Sequence, residues 1–394
     1  MSNQQIENLN RIAAAPVRTI LGVMSGTSMD GVDLALCRIK GASFSTELEL
    51  LEFDVADPGA HIRERFQKLA FGRDLNLAGT IQFERELEEV WIDLILKQLD
   101  LWKIQPDQVD LLASHGQTIF HKPDRNSGLH STLQLVDGDR LAAALGVTTV
   151  SDFRQKHIAA GYEGAPLAPL AELLLFSHPR IHRLFLNLGG IANITVLRAA
   201  EGTNPKVPFA TDTGPANTLL DAAAQRLLPG KDMDEDGEVA RSGRVNHTLL
   251  EKLMTHPFFR RREPASTGPE EFSWEWVYRT MLETAPDLQT PDLLATLVEL
   301  TALSVSHATE RHIRGEPAEI VVSGGGIHNR CLMDRLAKHL HSYQIRSSEE
   351  LGVRPDAKEA ALFAVLANEA VAGRGWISDS GERFTVGKIS LPNE

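Results

Sequence analysis

The sequence has little cysteine, no excess of positive charge and no long apolar run. Its 394 residues include two cysteines, Cys37 and Cys331, which form no disulfide framework and indicate a reducing compartment. Asp and Glu (53) outnumber Lys and Arg (40), so the net charge is −13. Nucleic acids and anionic membranes repel an acidic surface, so neither is expected as a partner. No apolar stretch approaches about 18 residues, so none is expected to span a membrane.

The N-terminus also lacks the apolar segment of a secretory signal. Residues 1–16 are polar and end at a proline, so we expect a flexible extension and a cytoplasmic protein. The length exceeds what one hydrophobic core usually serves, which predicts two lobes. A segment rich in Gly and Pro at 161–169 breaks regular structure. We therefore expect an N-terminal lobe at 17–160 and a C-terminal lobe at 161–394, with a last strand near 385–391 as a candidate to return to the first lobe.

Strand and helix patterns alternate along the chain, which is typical of the α/β class. Apolar residues alternate with polar ones around a glycine turn at 19–39, which predicts a β-hairpin. A second strand, glycine turn and strand occur at 183–197, so we expect two lobes of similar design. Helical spacing of apolar residues predicts helices at 76–100, 216–228, 291–313 and 356–372.

The SGTSMDG turn at 25–31 is the most informative segment. Its glycines let backbone N–H groups approach a ligand, while hydroxyls and carboxylates suit a triphosphate and the waters of Mg²⁺. It is not a Walker A loop, because GKS or GKT is absent and a strand follows. An ordinary hairpin turn has the same composition and stays an alternative. The residues expected to bind ATP here are Gly26, Thr27, Ser28, Met29, Asp30, Gly31, Val32 and Asp33.

Three further glycine-rich turns follow apolar strands, at 187–190, 212–215 and 323–326. Ligands of α/β proteins lie outside the carboxyl ends of strands, so several such turns favour a nucleotide site. The residues added to the expected ATP site are Asn187, Gly189, Gly190, Gly324, Gly325 and Gly326.

Asp212 is predicted to lie where a strand ends and a helix begins. A kinase needs a carboxylate near the transferred phosphate to accept a proton from the attacking hydroxyl. In most Asp-x-Gly-Pro sequences the aspartate caps a helix or stabilises a turn, and on this evidence that role is favoured over the catalytic one.

His115, His121 and His157 do not predict a metal site. No cysteine lies nearby, and no pair of ligands occurs four residues apart on a helix, so any Mg²⁺ is expected to arrive with ATP. Hydrogen-bonding or packing roles are expected instead.

Arg154 and Lys156 form a basic spot in an acidic chain. It is either a solvated surface or a place that holds an acidic or hydroxylated substrate. Gly116 and Gln117 make the loop after His115 polar and open, as a sugar site requires.

Several segments together resemble one known family. They are GVMSGTSMDGVD (22–33), SHGQTIFHKP (114–123), VSDFRQKHIAAGYEGAPLAP (150–169), NLGGIAN (187–193), DTGPAN (212–217), STG (266–268), SGGGIHN (323–329) and PDAKEAALFA (355–364). The chain resembles the anhydro-N-acetylmuramic acid kinases from about residue 19 to 390, and the first and third segments are long and specific.

The resemblance implies an actin/Hsp70/sugar-kinase fold with two lobes flanking an ATP cleft. It implies that ATP and water convert 1,6-anhydro-N-acetylmuramic acid to N-acetylmuramic acid 6-phosphate in cell-wall recycling, with Mg²⁺ and a homodimer. The turn at 26–33 matches the family's ATP-phosphate segment, and Asp212 matches its catalytic aspartate. The residues assigned to sugar binding are His115, Gln117, Asp152, Arg154 and Glu359.

Three departures from the family pattern and two rival functions remain. Ala216 stands where Gly is usual, Ala265 replaces a common Lys, and the extension at 1–16 has no counterpart. One rival is a levoglucosan kinase, although His121-Lys122-Pro123 favours the muramic sugar. The other is an ATP-gated binding module of the Hsp70 or actin type, although no peptide-binding domain follows.

Overall fold

The computed structural model describes residues 3–26, 29–70, 76–124, 127–199, 207–261, 264–265, 267–268, 270–352, 354, 356–378 and 380–393. Two compact units make up the chain. The first contains Met1–Leu175, Thr203–Val207 and Asp356–Glu394, and the second contains Phe176–Gly202 and Pro208–Pro355. Each unit is built on a β-sheet with helices, which confirms the α/β class.

The first unit holds the longer sheet. Its strands are β1 (Val17–Met24), β2 (Val32–Lys40), β3 (Glu47–Ala56), β4 (Leu111–Ser114), β5 (Gln117–Lys122), β6 (Ser131–Leu135), β7 (Thr149–Ser151) and, after the second unit, β13 (Trp376–Ile377), β14 (Arg383–Phe384) and β15 (Lys388–Ser390). Its helices are α1 (Gln4–Ala14), α2 (Ala60–Ala70), α3 (Leu77–Leu101), α4 (Gly138–Leu145), α5 (Phe153–Ala159), α6 (Ala168–Phe176), whose last residue falls in the second unit, and α13 (Lys358–Ala372).

The main sheet of this unit has the order β15-β7-β4-β1-β2-β3. Strands β1, β4 and β7 run parallel, while β2 and β3 extend the sheet antiparallel. The expected hairpin is β1–β2, with Val17 opposite Lys40 and Met24 opposite Asp33. Because parallel strands end at one edge, the loops after β1, β4 and β7 gather there.

Helix α3 explains the core of the first unit. Asn76 caps it by accepting from the Ala78 and Gly79 amides, and the apolar stripe buries Phe83, Leu87 and Trp91 against β1 and β2 residues. On the sheet itself, Gly22 lets α13 pack closely on β1, because a Cβ at Gly22 would overlap the Ala360 carbonyl. The chain therefore returns to its first unit as a long helix.

The second unit repeats the same plan. Its strands are β8 (His182–Leu188), β9 (Ile191–Leu197), β10 (Phe209–Pro215), β11 (Ala318–Ser323) and β12 (Gln344–Ser347), in the order β10-β9-β8-β11-β12. This matches β3-β2-β1-β4-β7, with three antiparallel strands followed by two parallel ones. The helices are α7 (Asn217–Leu227), α8 (Glu238–Ser242), α9 (His247–Leu253), α10 (Trp274–Thr284), α11 (Thr290–Ile313) and α12 (Arg330–His339). The expectation of two lobes of similar design is confirmed.

Three features differ from the sequence expectations. Residues 4–14 of the expected extension form α1, capped by Asn3 and buried at Ile12, which is 2% exposed. The first unit ends at Leu175 rather than near residue 160, and it takes in α13 as well as the last strand. Asp212 lies inside β10, since that strand continues through Pro215 and α7 begins at Asn217.

No helix in the described part of the chain is long and apolar enough to cross a bilayer.

Candidate active site

The turn of the β1–β2 hairpin is held by hydrogen bonds from inside and outside. The Ser25 hydroxyl donates to the Gly31 carbonyl (2.9 Å), and the Met29 amide donates to the Gly26 carbonyl (3.2 Å). Gln117, the first residue of β5, donates its Nε2 to the same Gly26 carbonyl (2.9 Å). Asp30 is exposed and Met29 is fully buried, so the turn presents a short polar side chain and backbone. The expected residues Thr27 and Ser28 lie outside the described residues.

The carboxylate of Asp33 lies at the start of β2, opposite Met24. Burial first, and then the negative charges of Glu359 and Asp356, raise the pKa of Asp33 to about 6. Two acids thus act on the residue that follows the hairpin turn: Glu359, in the first turn of α13, and Asp356, just before that helix. Asp33 and Glu359, which were assigned to ATP and to sugar, therefore share one electrostatic environment.

His115 follows β4 and forms a fixed pair with Arg154 of α5. Arg154 Nε donates to His115 Nε2 (3.0 Å), and His115 Nδ1 lies 2.9 Å from the Gly116 carbonyl. Nε2 must accept from Arg154, so the imidazole is neutral with its proton on Nδ1. Burial and the Arg154 charge lower the pKa of His115 to about 3. The pair presents a cation while His115 stays uncharged.

Arg154 is itself balanced by an acid. Burial lowers its pKa to about 10, and Glu359 opposes that shift. Desolvation by the surrounding protein raises the pKa of Glu359, against the positive charges of Lys358 and Arg154, although its side chain still reaches solvent. The structure thus brings together three of the residues that the sequence assigned to sugar binding, His115, Arg154 and Glu359.

Gln117 joins the same region, whereas Asp152 stands apart. Gln117 is buried, and its Oε1 has no hydrogen-bond partner among the described residues, so it can accept from a ligand. Asp152 instead lines an open groove of about 630 Å³ with Lys156 and Lys388, and none of the other four assigned sugar residues lines that groove. Burial raises the pKa of Asp152, and its charged neighbours are Lys388, Asp137 and Asp139.

The glycine-rich turns of the second unit meet at one edge of its sheet. Strands β8, β10 and β11 run in the same direction, so their carboxyl ends coincide. Asn217 Nδ2 donates to the Leu188 carbonyl (3.2 Å), and the Asn217 amide donates to the Gly189 carbonyl (3.1 Å). The prediction that several glycine turns gather is confirmed for this unit.

The close packing of these turns needs glycine at one position in particular. Gly324 has φ +85°, and a Cβ there would lie 2.7 Å from Asn187 Oδ1 and 2.8 Å from the Leu188 carbonyl oxygen. Both the backbone angle and the neighbours therefore exclude a side chain. A Cβ at Gly190 would lie 2.6 Å from the Thr218 hydroxyl, which keeps this turn equally close to α7.

Asp212 lies in β10 at an irregularity of the β9–β10 ladder, between Asp212 and Gly214. The Thr267 amide donates to its Oδ2 (2.8 Å), and its own amide donates to the Ala265 carbonyl (3.0 Å). It caps no helix, because the residue that precedes α7 is Ala216. The prediction that Asp212 lies at a strand-to-helix junction is wrong, because strand β10 continues past the bulge to Pro215 and α7 begins only at Asn217.

The sequence analysis did not identify the residues that hold the Asp212 carboxylate and helix α13 in position. The Thr267 hydroxyl donates to Glu271 Oε2 (2.7 Å), which carries an ion pair with Arg261. In the first unit, Lys358 pairs with Glu172 at 2.6 Å, and both are almost fully buried. Thr267 could have been found from the STG motif, whereas the Lys358–Glu172 pair joins positions that no local pattern connects.

Two α/β units of matching strand order, glycine-rich turns at strand ends and an oriented carboxylate beside one set of turns are features that a phosphotransferase uses.

Comparison with known proteins gives the family. A family model described as anhydro-N-acetylmuramic acid kinase matches residues 18–375. A protein of that name from Pseudoalteromonas atlantica is 38% identical over 402 residues, covering 99% of this chain and 100% of its own. Another from Caldanaerobacter subterraneus subsp. tengcongensis is 35% identical over 398 residues, covering 98% and 100%. The chain belongs to the anhydro-N-acetylmuramic acid kinase family.

One of the solved structures that match the chain is component A of (R)-2-hydroxyglutaryl-CoA dehydratase from Acidaminococcus fermentans. It aligns with a TM-score of 0.44 at 15% identity, covering 89% of this chain and 99% of that chain.

Proposed function

We propose that this kinase uses ATP and water to open 1,6-anhydro-N-acetylmuramic acid and to phosphorylate it, giving N-acetylmuramic acid 6-phosphate for cell-wall recycling. The observation that carries the proposal is the carboxylate of Asp212, held at Oδ2 by the Thr267 amide beside the glycine-rich turns of the second unit. The family membership supports the choice of sugar.

Asp212 acts as the general base. Its carboxylate removes a proton from a water molecule, whose oxygen then bonds to the anomeric carbon C1 as the C1–O6 bridge breaks. The oxygen released at C6 takes the phosphoryl group. Holding one carboxylate oxygen through a backbone amide costs no reorganisation at the moment of reaction, and a positioned base typically contributes about 10²–10⁴-fold.

The turns of both units suit a polyphosphate. They offer backbone N–H groups and short side chains. At two positions the neighbouring side chain leaves no room for a Cβ, namely Val55 beside Gly31 and Asn187 beside Gly324. We expect Mg²⁺ to arrive with the nucleotide, with Asp33 contacting its waters. ATP supplies the phosphoryl group, and Mg²⁺ neutralises its charge.

The sugar is assigned to His115, Gln117, Arg154 and Glu359. Arg154 offers a cation for the lactyl carboxylate, and Gln117 Oε1 offers an acceptor for a hydroxyl. Asp152 is also assigned to the sugar, through the groove that it lines with Lys156 and Lys388. We also propose that the enzyme is cytoplasmic and works as a homodimer, with no nucleic-acid or membrane partner.

The test is product analysis in ¹⁸O-water. Purified enzyme with Mg-ATP receives the anhydro-muramic sugar, levoglucosan or N-acetylglucosamine, and products are read promptly by mass spectrometry. Phosphorylation of the anhydro-muramic sugar is expected, with the label on the C1 hydroxyl and none in the phosphate. Label in the phosphate, or a phosphorylated ring hydroxyl with the bridge intact, would refute the mechanism.

The matched variants are Asp212→Asn and Asp221→Asn. Both aspartates are partly buried in the second unit, and Asp221 lies on α7. We expect D212N to bind ATP normally and to lose about 10²–10⁴-fold in turnover, because Asn keeps the size but cannot take the proton. D221N should keep wild-type turnover. Near-normal turnover in D212N would remove Asp212 from its role.

A further inference from the structure

The hairpin formed by β5 and β6 buries several polar side chains while two of its large apolar side chains are exposed. Its buried positions include Thr118, Thr132 and Gln134, which are 8%, 7% and 9% exposed, while Phe120 and Leu133 are 42% and 43% exposed. Burial of apolar groups stabilises a fold, and burial of polar groups costs free energy unless they are hydrogen-bonded. The hairpin also buries Ile119 and Leu135, so each buried polar atom among them needs a hydrogen-bond partner.

Hydrogen-bond accounting fixes the orientation of the Gln134 amide. The Thr132 hydroxyl donates its one hydrogen to the Phe120 carbonyl (3.2 Å) or to His121 Nδ1 (3.2 Å), so towards Gln134 its oxygen accepts. Gln134 Nε2 lies 2.8 Å from that oxygen and 3.3 Å from the Thr118 hydroxyl, so it is the donor. Gln134 Oε1 is therefore an oriented acceptor, and it is buried without a hydrogen-bond partner among the residues that the structure describes.

This acceptor lies beside the residues assigned to the sugar. A Cβ at Gly116 would lie 3.2 Å from Gln134 Cβ, which places Gln134 next to the residue between His115 and Gln117. Gln155 of α5 donates to the Thr132 carbonyl (2.6 Å), joining the hairpin to the helix that carries Arg154. Burial first, and then the Arg154 charge, lower the pKa of His121, whose Nδ1 is 3.2 Å from the Thr132 hydroxyl.

We propose that Gln134 Oε1 accepts a hydrogen bond from the acetamido N–H of the sugar and makes the enzyme select a 2-acetamido anhydro sugar. This inference rests on the proposed function. An amide N–H can only donate, which matches an acceptor whose own amide nitrogen is already held by two threonines. A sugar without this donor would leave the buried oxygen unsatisfied, at a cost of about 1–3 kcal/mol.

The experiment compares two sugars by calorimetric titration. They are 1,6-anhydro-N-acetylmuramic acid and its analogue with hydrogen in place of the acetamido group at C2. The variant is Gln134→Met, which keeps an unbranched side chain of similar length and removes the acceptor. The matched control is Gln98→Met. Gln98 lies on helix α3 of the first unit, where it is also buried, and it donates a hydrogen bond to Asp54 of β3 (3.1 Å).

Wild type and Q98M should prefer the acetamido sugar by about 5–150-fold, and Q134M should lose most of that preference while its affinity for the analogue stays within about threefold. If Q134M is unfolded by circular dichroism, Gln134→Leu takes its place in the same comparison. Equal weakening of both sugars by the variant would indicate a structural role and overturn the proposal, as would an unchanged preference.

Binding is read without turnover, so the two proposals can fail separately. Acetamido-dependent binding that Q134M abolishes supports the Gln134 contact even if no phosphorylated product forms, in which case only the proposed function fails. Product formation with an unchanged preference in Q134M overturns the Gln134 contact alone. Absence of binding by wild type overturns both.

Discussion

Replacement of His115 by Gln should change the way stability depends on pH. His115 is 3% exposed and lies between Arg154, the Gly116 carbonyl and the Phe363 ring, whose centroid is 4.7 Å away. Burial and Arg154 lower its pKa from 6.5 to about 3. The folded protein thus keeps this imidazole neutral at pH values where the unfolded chain would protonate it.

The sign follows from proton binding. Between about pH 3 and 6.5 the unfolded state carries more protons at His115 than the folded state, so this residue's contribution to stability is lost as pH falls. The loss is about 1 kcal/mol between pH 6 and pH 5 and about 2 kcal/mol in total by pH 5. His115→Gln cannot take the proton, so the variant escapes this loss.

The assay is urea unfolding of wild type and H115Q at pH 5, 6, 7 and 8, followed by circular dichroism. The difference in free energy of unfolding between the two proteins should shift by about 1 kcal/mol towards H115Q from pH 6 to 5. Acids with raised pKa, such as Asp33 and Glu359, act in the opposite direction, but they are present in both proteins and cancel in the difference.

Measurements at pH 7 and 8 supply the internal control, because His115 is neutral there in both states and the difference should be nearly constant. A difference that stays constant down to pH 5 would show that His115 is not held neutral, and the hydrogen bond from Arg154 would then have to be reassigned.

Three other predictions follow from the same geometry. Gly31→Val should weaken ATP binding in calorimetry without changing sugar affinity, because its Cβ would collide with Val55, and equal ATP affinity would reduce the turn to a structural role. Asp33→Asn should remove a fall in kcat/KM below about pH 6, since Asp33 loses its charge there, and an unchanged pH profile would exclude its ionised form from the reaction. Gly324→Ala should cost about 1–3 kcal/mol in urea unfolding, because φ is +85° and Asn187 is close, whereas a change within about 0.5 kcal/mol would mean that the turn relaxes.

Local patterns predicted the parts of the fold that depend on neighbours in sequence. The β1–β2 hairpin followed from alternation around SGTSMDG, and α3 followed from the apolar stripe that buries Phe83 and Leu87. The return of α13 to the first unit could not be predicted, because it depends on the absence of a side chain at Gly22 where Ala360 approaches. Helix α1 was missed because its polar residues hide a short pattern that buries only Ile12 fully.

The candidate site divides in the same way. Glycine turns and single polar residues were visible as motifs, and the structure brings His115, Arg154 and Glu359 together. The Gln134 acceptor was not visible, because its orientation depends on the register that places Thr118 opposite Gln134 across β5 and β6. Hydrogen-bond direction is a property of the folded network, and no spacing in the sequence encodes it.

The environment of Asp212 also explains why two departures from the family pattern leave the proposed base in place. Ala265, where Lys is common, acts through its backbone: its amide donates to the Thr211 hydroxyl (2.9 Å), and its carbonyl accepts from the Asp212 amide (3.0 Å). Any residue except proline can make these bonds. Ala216, where Gly is usual, does not have the positive φ that favours glycine. The positive φ of this segment, +144°, falls on Gly214, at the bulge that aims Asp212. The positive φ of this segment is therefore carried by a glycine, and Ala265 holds Thr211 and Asp212 through backbone groups alone.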